Sequence, residues 1–290
     1  ASSLAEAARY EPPDGVYAAF GTWHENRVIH LTRHLRRLED SAQRAGLELH
    51  ADWPLVCQEL CLLLRESGWP GARFRISVHP GEDPVEGPVD SLTVALEPYD
   101  GPPAELREHG VACRTAPHRA RANPRVKATG WLAERNRLGD GTPYEWLLTD
   151  DRDRVLEGAS SNFYAVLPAG PAGDVHAAGT HESDALILST AAEGILPGIS
   201  RAIVLEVAPG LIPVELEAPP LDDLTQAAEA FLTSASRGII PVVEIDGLPV
   251  GSGGVGAVTR ELIARYDRRA RELEEPVCGY REPEADALQT

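Results

Sequence analysis

Apolar positions along this chain recur at two periods, and the switches between them outline its elements. Residues 16 to 30 read as two short strands around a polar turn at Glu25 and Asn26. A helix follows, with Thr32 as its expected N-cap, Leu35, Leu38 and Ala42 on one face, and Gly46 at its end. A second helix fits Pro54 to Ser67, opened by proline and followed by Gly68. Phe74, Ile76 and Val78 then alternate with Arg73, Arg75 and Ser77, and Leu92, Val94 and Leu96 alternate in the same way, the period-2 pattern of half-buried strands.

Asp100 to Pro124 carries glycine, prolines and a cluster of Arg114, His118, Arg119 and Arg121, and the domain link is expected here. Beyond it the pattern predicts a helix over Ala128 to Leu138, and strands over Glu145 to Thr149 and Asn162 to Leu167. A loop over Pro168 to Asp184 precedes Leu186 to Ser189 and a helical segment over Ala202 to Val207. Strands over Ala230 to Thr233 and Val242 to Ile245 end at an Asp246-Gly247 turn, and a last helix covers Ala257 to Leu273. This predicts an α+β chain of two domains: a small N-terminal domain over 1–115, a link over 116–126, and a larger domain over 127–290.

Composition narrows the function. The chain has 290 residues and a formal net charge of -18, which argues against nucleic acid and anionic membranes as partners. The most apolar window, Leu55 to Leu64, is too short to span a bilayer, and nothing near the N-terminus reads as a signal peptide, so a cytoplasmic location is expected. Four cysteines, Cys57, Cys61, Cys113 and Cys278, are too sparse for a disulfide framework. Cys57 and Cys61 on one helix face are expected to be buried thiols. The basic cluster fits either an anionic ligand or a solvated connection that balances nearby acids.

Two motifs are set aside on context. Gly251-Ser-Gly-Gly-Val-Gly256 satisfies GxGxxG and opens a helix, but no second strand with an acidic ribose ligand follows it. His176, His181 and Glu182 match no standard zinc spacing, and no metal is expected.

Five blocks occur in one order: Arg33-His-Leu-Arg-Arg37-Leu, Val126-Lys127-Ala-Thr-Gly-Trp-Leu, Leu156-Glu157-Gly-Ala-Ser-Ser-Asn162-Phe, Gly194-Ile-Leu-Pro-Gly-Ile-Ser200-Arg, and Phe231-Leu-Thr-Ser-Ala-Ser-Arg-Gly238. In order and approximate spacing they resemble the class IV, or fold-type IV, aminotransferases that use pyridoxal 5'-phosphate, a group that also contains aminodeoxychorismate lyase. The resemblance covers roughly Gly15 to Val250.

The resemblance implies a role for each block. Lys127 would hold the cofactor as a Schiff base and, once freed by substrate, move a proton. It is also the only lysine of the chain, in a protein whose other basic residues are arginine and histidine. Glu157 would face the pyridine nitrogen, where a carboxylate favours the protonated, electron-withdrawing ring. Arg37 would be the cation for the phosphate, Ile199 and Ser200 would offer amides and a hydroxyl at a helix N-terminus, and Ser234 and Ala235 would complete the cup. Tyr17, Arg119 and Ser236 are candidate substrate contacts.

Departures from the family pattern are informative. The N-terminal strand and turn are reduced here to Ala1 to Asp14, Leu132 stands where branched-chain enzymes carry tyrosine, and Ala235 stands where a hydroxyl residue is frequent. The expected activity is amino transfer between an amino acid or amine and an oxo acid, with a lyase of the aminodeoxychorismate type as the alternative and a cofactor-free relative as the third. The resemblance further implies a homodimer with the cofactor in a cleft between domains.

Overall fold

The computed structural model describes residues 3–83, 87–101, 104–138, 143–169 and 186–283. The chain opens with α1 (Leu4–Ala7), β1 (Val16–His24), β2 (Arg27–Ile29), α2 (Leu31–Ala45), α3 (Trp53–Ser67), β3 (Ala72–Asp83) and β4 (Gly87–Pro98). It continues through α4 (Ala104–His109), β5 (Val111–Ala116), α5 (Trp131–Asn136), β6 (Glu145–Thr149), β7 (Val155–Gly158), β8 (Ser161–Pro168) and β9 (Leu186–Ser189). Next come α6 (Ile199–Val207), β10 (Val214–Glu215), β11 (Glu229–Ser234), β12 (Gly238–Ile245), β13 (Leu248–Pro249), α7 (Ala257–Glu272) and β14 (Glu274–Pro276). The loop expected over 168–184 lies, beyond Ala169, outside the described residues, as do His176, His181 and Glu182.

Two compact units result. The first is Ala1–Gly101 with Arg125–Arg137 and Ala270–Thr290, and the second is Pro102–Pro124 with Leu138–Arg269. Neither is one continuous stretch, in contrast to the sequence-based partition at 116–126. The reason is strand pairing: β5, inside the Asp100 to Pro124 stretch where the link is expected, hydrogen-bonds in parallel to both β12 and β6. Its buried Val111 and Cys113 alternate with exposed Ala112 and Arg114, the strand signal that the basic cluster obscures.

The first unit is a five-stranded sheet in the order β14-β2-β1-β3-β4, covered on one face by α2 and α3. Period 2 sends Val16, Ala18 and Phe20 of β1, with Phe74, Ile76 and Val78 of β3, to the same face, where they meet Leu31, Leu35 and Leu38 of α2. Each valine, leucine, isoleucine and phenylalanine among them contributes about 1.5–3 kcal/mol when fully buried. Helix α2 begins one residue after His30, which takes a left-handed φ of 53°, so Thr32 lies inside the first turn rather than at the N-cap. The reason is a cap from far along the chain. The Glu275 carboxylate on β14 accepts from the Thr32 amide at 2.9 Å and from the Thr32 hydroxyl, placing negative charge at the positive helix end.

The cysteine expectation is corrected here. Cys61 forms a disulfide with Cys278, 217 residues away, while Cys57 and Cys113 are buried thiols. Spacing along the chain carries no trace of a pair joined only by tertiary packing.

In the second unit six strands close into a ring, β7-β8-β11-β12-β5-β6 and back to β7. Phe163, Leu232, Ile240 and Leu147 lie in its core. The GxGxxG stretch holds an anion of the chain's own. Glu229 accepts from the Val258 and Thr259 amides at 3.0 and 2.7 Å, and a Cβ at Gly256 would meet Glu229 Cδ at 2.0 Å. The glycine therefore makes room for a carboxylate cap on α7.

Candidate active site

Lys127 sits in an extended segment zipped onto the start of β1. The Tyr17 amide donates to the Lys127 carbonyl at 2.9 Å, Thr129 N to Gly15 O at 2.8 Å, and Gly130 N to Pro13 O at 3.0 Å. The Thr129 hydroxyl adds bonds to the carbonyls of Pro12 and Gly15. Two glycines permit this approach, since a Cβ at Gly130 would meet Pro13 O at 2.7 Å and one at Gly15 would meet Thr129 Cγ2 at 3.3 Å, as well as Val78 O of β3 at 2.6 Å. The Lys127 amide also donates to Ser41 Oγ on α2 at 3.4 Å. The lysine backbone is thus fixed by β1 and α2, and rigid placement is what a reacting amine requires.

The Lys127 ammonium lies 4.7 Å from the centre of the Tyr17 ring. Arg37, three residues after His34 on α2, has its guanidinium pushed down to about 10 by burial, an effect the nearby Tyr17 opposes. His34 is 1% exposed. Burial, then the charges of Arg37, Lys127 and His30, hold it well below the ordinary histidine range, so it stays neutral. Its ring packs 5.0 Å from that of Phe20. Lys127, Tyr17 and Arg37 are therefore neighbours in the first unit, with desolvated positive charge among them, a setting that favours an anion.

Glu157 lies at the seam of the six-stranded ring, paired with Asn162 across β7 and β8, and is 2% exposed. Its Oε1 accepts from Arg121 Nε at 2.7 Å, and Oε2 accepts from the Leu196 amide at 3.1 Å and Asn162 Nδ2 at 3.4 Å. Arg121 also donates to the Ala159 carbonyl at 2.9 Å. A buried carboxylate with a guanidinium partner is kept as an anion, able only to accept hydrogen bonds. Arg121 accordingly leaves the basic cluster and turns to Glu157, whereas Arg114, His118 and Arg119 are exposed.

Asn162 extends the network to the start of α6. Its Nδ2 donates to the Leu196 carbonyl at 2.9 Å, and a Cβ at Gly198 would meet its Oδ1 at 2.0 Å. Gly198 is the N-cap of α6 and supplies no side-chain cap, unlike the carboxylate that caps α7. Ile199 and Ser200 form the first turn, and the Tyr266 hydroxyl donates to Ser200 Oγ at 3.0 Å. Ser234 ends β11 opposite Gly238, and Ala235, Ser236 and Arg237 form the tight turn to β12. Arg237 holds that turn by donating to Ser234 Oγ at 2.8 Å and to Ser160 Oγ at 2.9 Å. The structure thus joins Glu157 to Ile199 and Ser200 through Asn162 and Leu196, and links the 234–236 turn to the loop at Ser160. Arg119 is exposed and outside these networks as described. Arg121, Asn162 and Arg237 stand in the sequence blocks and the basic cluster without an assigned role, because a side chain's partner is set by the fold.

The model of the family described as amino-transferase class IV matches residues 17–245. This chain belongs to the class IV aminotransferases. It is 26% identical over 261 residues to the D-alanine aminotransferase of Bacillus licheniformis, covering 87% of this chain and 86% of that one. The branched-chain amino acid aminotransferase of Escherichia coli superposes with a TM-score of 0.73 at 21% identity, over 93% of this chain and 92% of the other. The T.th. branched-chain amino acid aminotransferase, solved with pyridoxamine 5'-phosphate, gives a TM-score of 0.73 at 19% identity over 96% of this chain and 93% of the other. The class IV fold and an aminotransferase activity follow from the family.

Proposed function

We infer that this aminotransferase uses pyridoxal 5'-phosphate to move an amino group from an amino acid or amine to an oxo acid, with Lys127 as its reacting amine. The observation that carries the reading is the chain's only lysine, clamped by its backbone onto β1 and set against Tyr17 in the matched family region.

The donor set fits the cofactor. Arg37 and the first turn of α6, Ile199 and Ser200, would hold the phosphate, helped by the turn at Ser234 and Ala235. Glu157, kept ionised by Arg121, would accept from the ring nitrogen, and Tyr17, Ser236 and Arg119 are the proposed substrate contacts. The cofactor, when bound, supplies an electron sink for the substrate carbon. Lys127 Nζ, as a neutral amine, accepts the proton from that carbon, while the hydrogen bonds of the Lys127 backbone to Tyr17 N and Ser41 Oγ keep it in place. A homodimer and a cytoplasmic location complete the proposal. Among the described residues no helix is long and apolar enough to cross a membrane.

The test is a half-reaction. A panel of L- and D-amino acids, added without acceptor to the loaded protein, should convert its visible absorbance to the pyridoxamine form, and an oxo acid should restore it. Absence of that conversion, with aminodeoxychorismate giving pyruvate and 4-aminobenzoate, would replace amino transfer by the lyase alternative, which the relatives do not favour.

A further inference from the structure

Tyr17 rests on an ion pair that none of the five sequence blocks contains. In register, Tyr17 of β1 lies opposite Ser77 of β3, and Ala19 lies opposite Arg75, so these side chains share the sheet face away from the α2 packing. The Arg75 guanidinium carbon lies 3.6 Å from the Tyr17 ring centre, in the range of a close stack. Arg75 is itself held: its Nε donates to Glu11 Oε1 at 2.7 Å, its Nη2 donates to Glu11 Oε2, and Ser77 Oγ donates to the same carboxylate. Arg75 is 7% exposed, so the pair is desolvated and each charge depends on the other. Glu11 lies just ahead of the Pro12–Gly15 stretch that zips onto Thr129 and Gly130. One short segment therefore fixes both the lysine backbone and the floor beneath the tyrosine.

We propose that the Glu11–Arg75 pair is a positioning device for the reacting amine: Arg75, clamped flat by Glu11, orients the Tyr17 ring against Lys127 and keeps the local charge balanced. This rests on the reading of Lys127 as the amine that carries the cofactor. Among the described residues of this unit, Tyr17 and His34 face Lys127, Arg37 and His30 act on His34, and Arg75, Glu11 and His79 lie beyond the Tyr17 ring. The pair is neutral as a whole. The Arg75 guanidinium stands within about 8 Å of Lys127 Nζ, since both cations contact one ring, and the Glu11 carboxylate sits one hydrogen bond from that guanidinium. Loss of Arg75 leaves a carboxylate, which favours the protonated form at Lys127. Loss of Glu11 leaves a guanidinium, which disfavours it.

The experiment uses protein loaded with pyridoxal 5'-phosphate and follows the pH midpoint at which its visible band interconverts. Glu11→Gln should lower the midpoint by roughly 0.4 to 1.5 pH units, and Arg75→Gln should raise it by a smaller amount, because the carboxylate it leaves is held beyond the guanidinium. Arg75→Lys, which keeps the charge but not the flat stack, should hold the midpoint and weaken the visible circular dichroism of the bound chromophore. A pair with only a structural role would shift the two charge-removing variants alike or not at all, and either result overturns the proposal. So does an Arg75→Lys spectrum identical to wild type. Should Arg75→Gln fail to fold, Glu11→Gln alone decides, since its midpoint must fall. Borohydride labelling of the wild type separates the two readings: no label on Lys127 ends the reading of Lys127 and this inference with it, whereas a label with unshifted variants ends this inference only.

Discussion

Glu157 makes the chemistry of single side chains concrete. Its two oxygens take bonds from a guanidinium, a backbone amide and a side-chain amide, so the group is held as an anion facing a fixed direction. Glu157→Gln keeps the shape and removes the charge. A charge-assisted hydrogen bond is worth about 1.5–3 kcal/mol, so the cofactor should remain bound while kcat falls roughly ten- to a hundredfold. Arg121 is left buried without its counter-charge, which costs about 3–5 kcal/mol where no relaxation relieves it, so the melting temperature should fall as well. Steady-state kinetics and thermal denaturation read the two effects. Full activity in the variant would show that Glu157 does not act on the ring nitrogen.

At the scale of elements, α2 carries Arg37 and His34 and supports Lys127 through Ser41, yet its N-terminus is finished by residues from the far end of the chain. Glu275 caps Thr32, the Tyr280 hydroxyl lies 3.1 Å from Thr32 Oγ1, and the Val277 amide donates to Asn26 O at 2.9 Å. The Cys61–Cys278 disulfide ties this same segment to α3. A cross-link over so long a loop stabilises chiefly by restricting the unfolded chain. Cys278→Ser should therefore lower unfolding stability by about 2–5 kcal/mol, measured by denaturant titration, and dithiothreitol should bring the wild type to the variant's midpoint. Coincident oxidised midpoints would show that the cross-link does not form. Cys57, one turn from Cys61, should take no part, because burial and then the charge of Glu275 push its thiol up to about 12.

Across the whole molecule, legibility followed locality. Helices α2, α3 and α7, the turn after β1, and the alternation in β3 and β4 came from signals that lie within a few residues of one another. What stayed hidden depends on partners distant in sequence. The strand β5 looked like a link because Arg114 and its neighbours masked the period, the helix cap at Thr32 comes from Glu275, and GxGxxG meets Glu229 rather than a nucleotide. The same holds for the site: the motif residues Lys127, Glu157 and Ser200 could be named from ordered blocks, whereas Arg121, Asn162 and the Glu11–Arg75 pair acquire meaning only through folding. The central claim is that Lys127 carries the cofactor, and a chain with one lysine offers an unusually direct test. Protein loaded with pyridoxal 5'-phosphate, reduced with borohydride, digested and mapped by mass spectrometry should carry the reduced cofactor on the peptide that contains Lys127. Loaded protein that yields no label there would contradict the account.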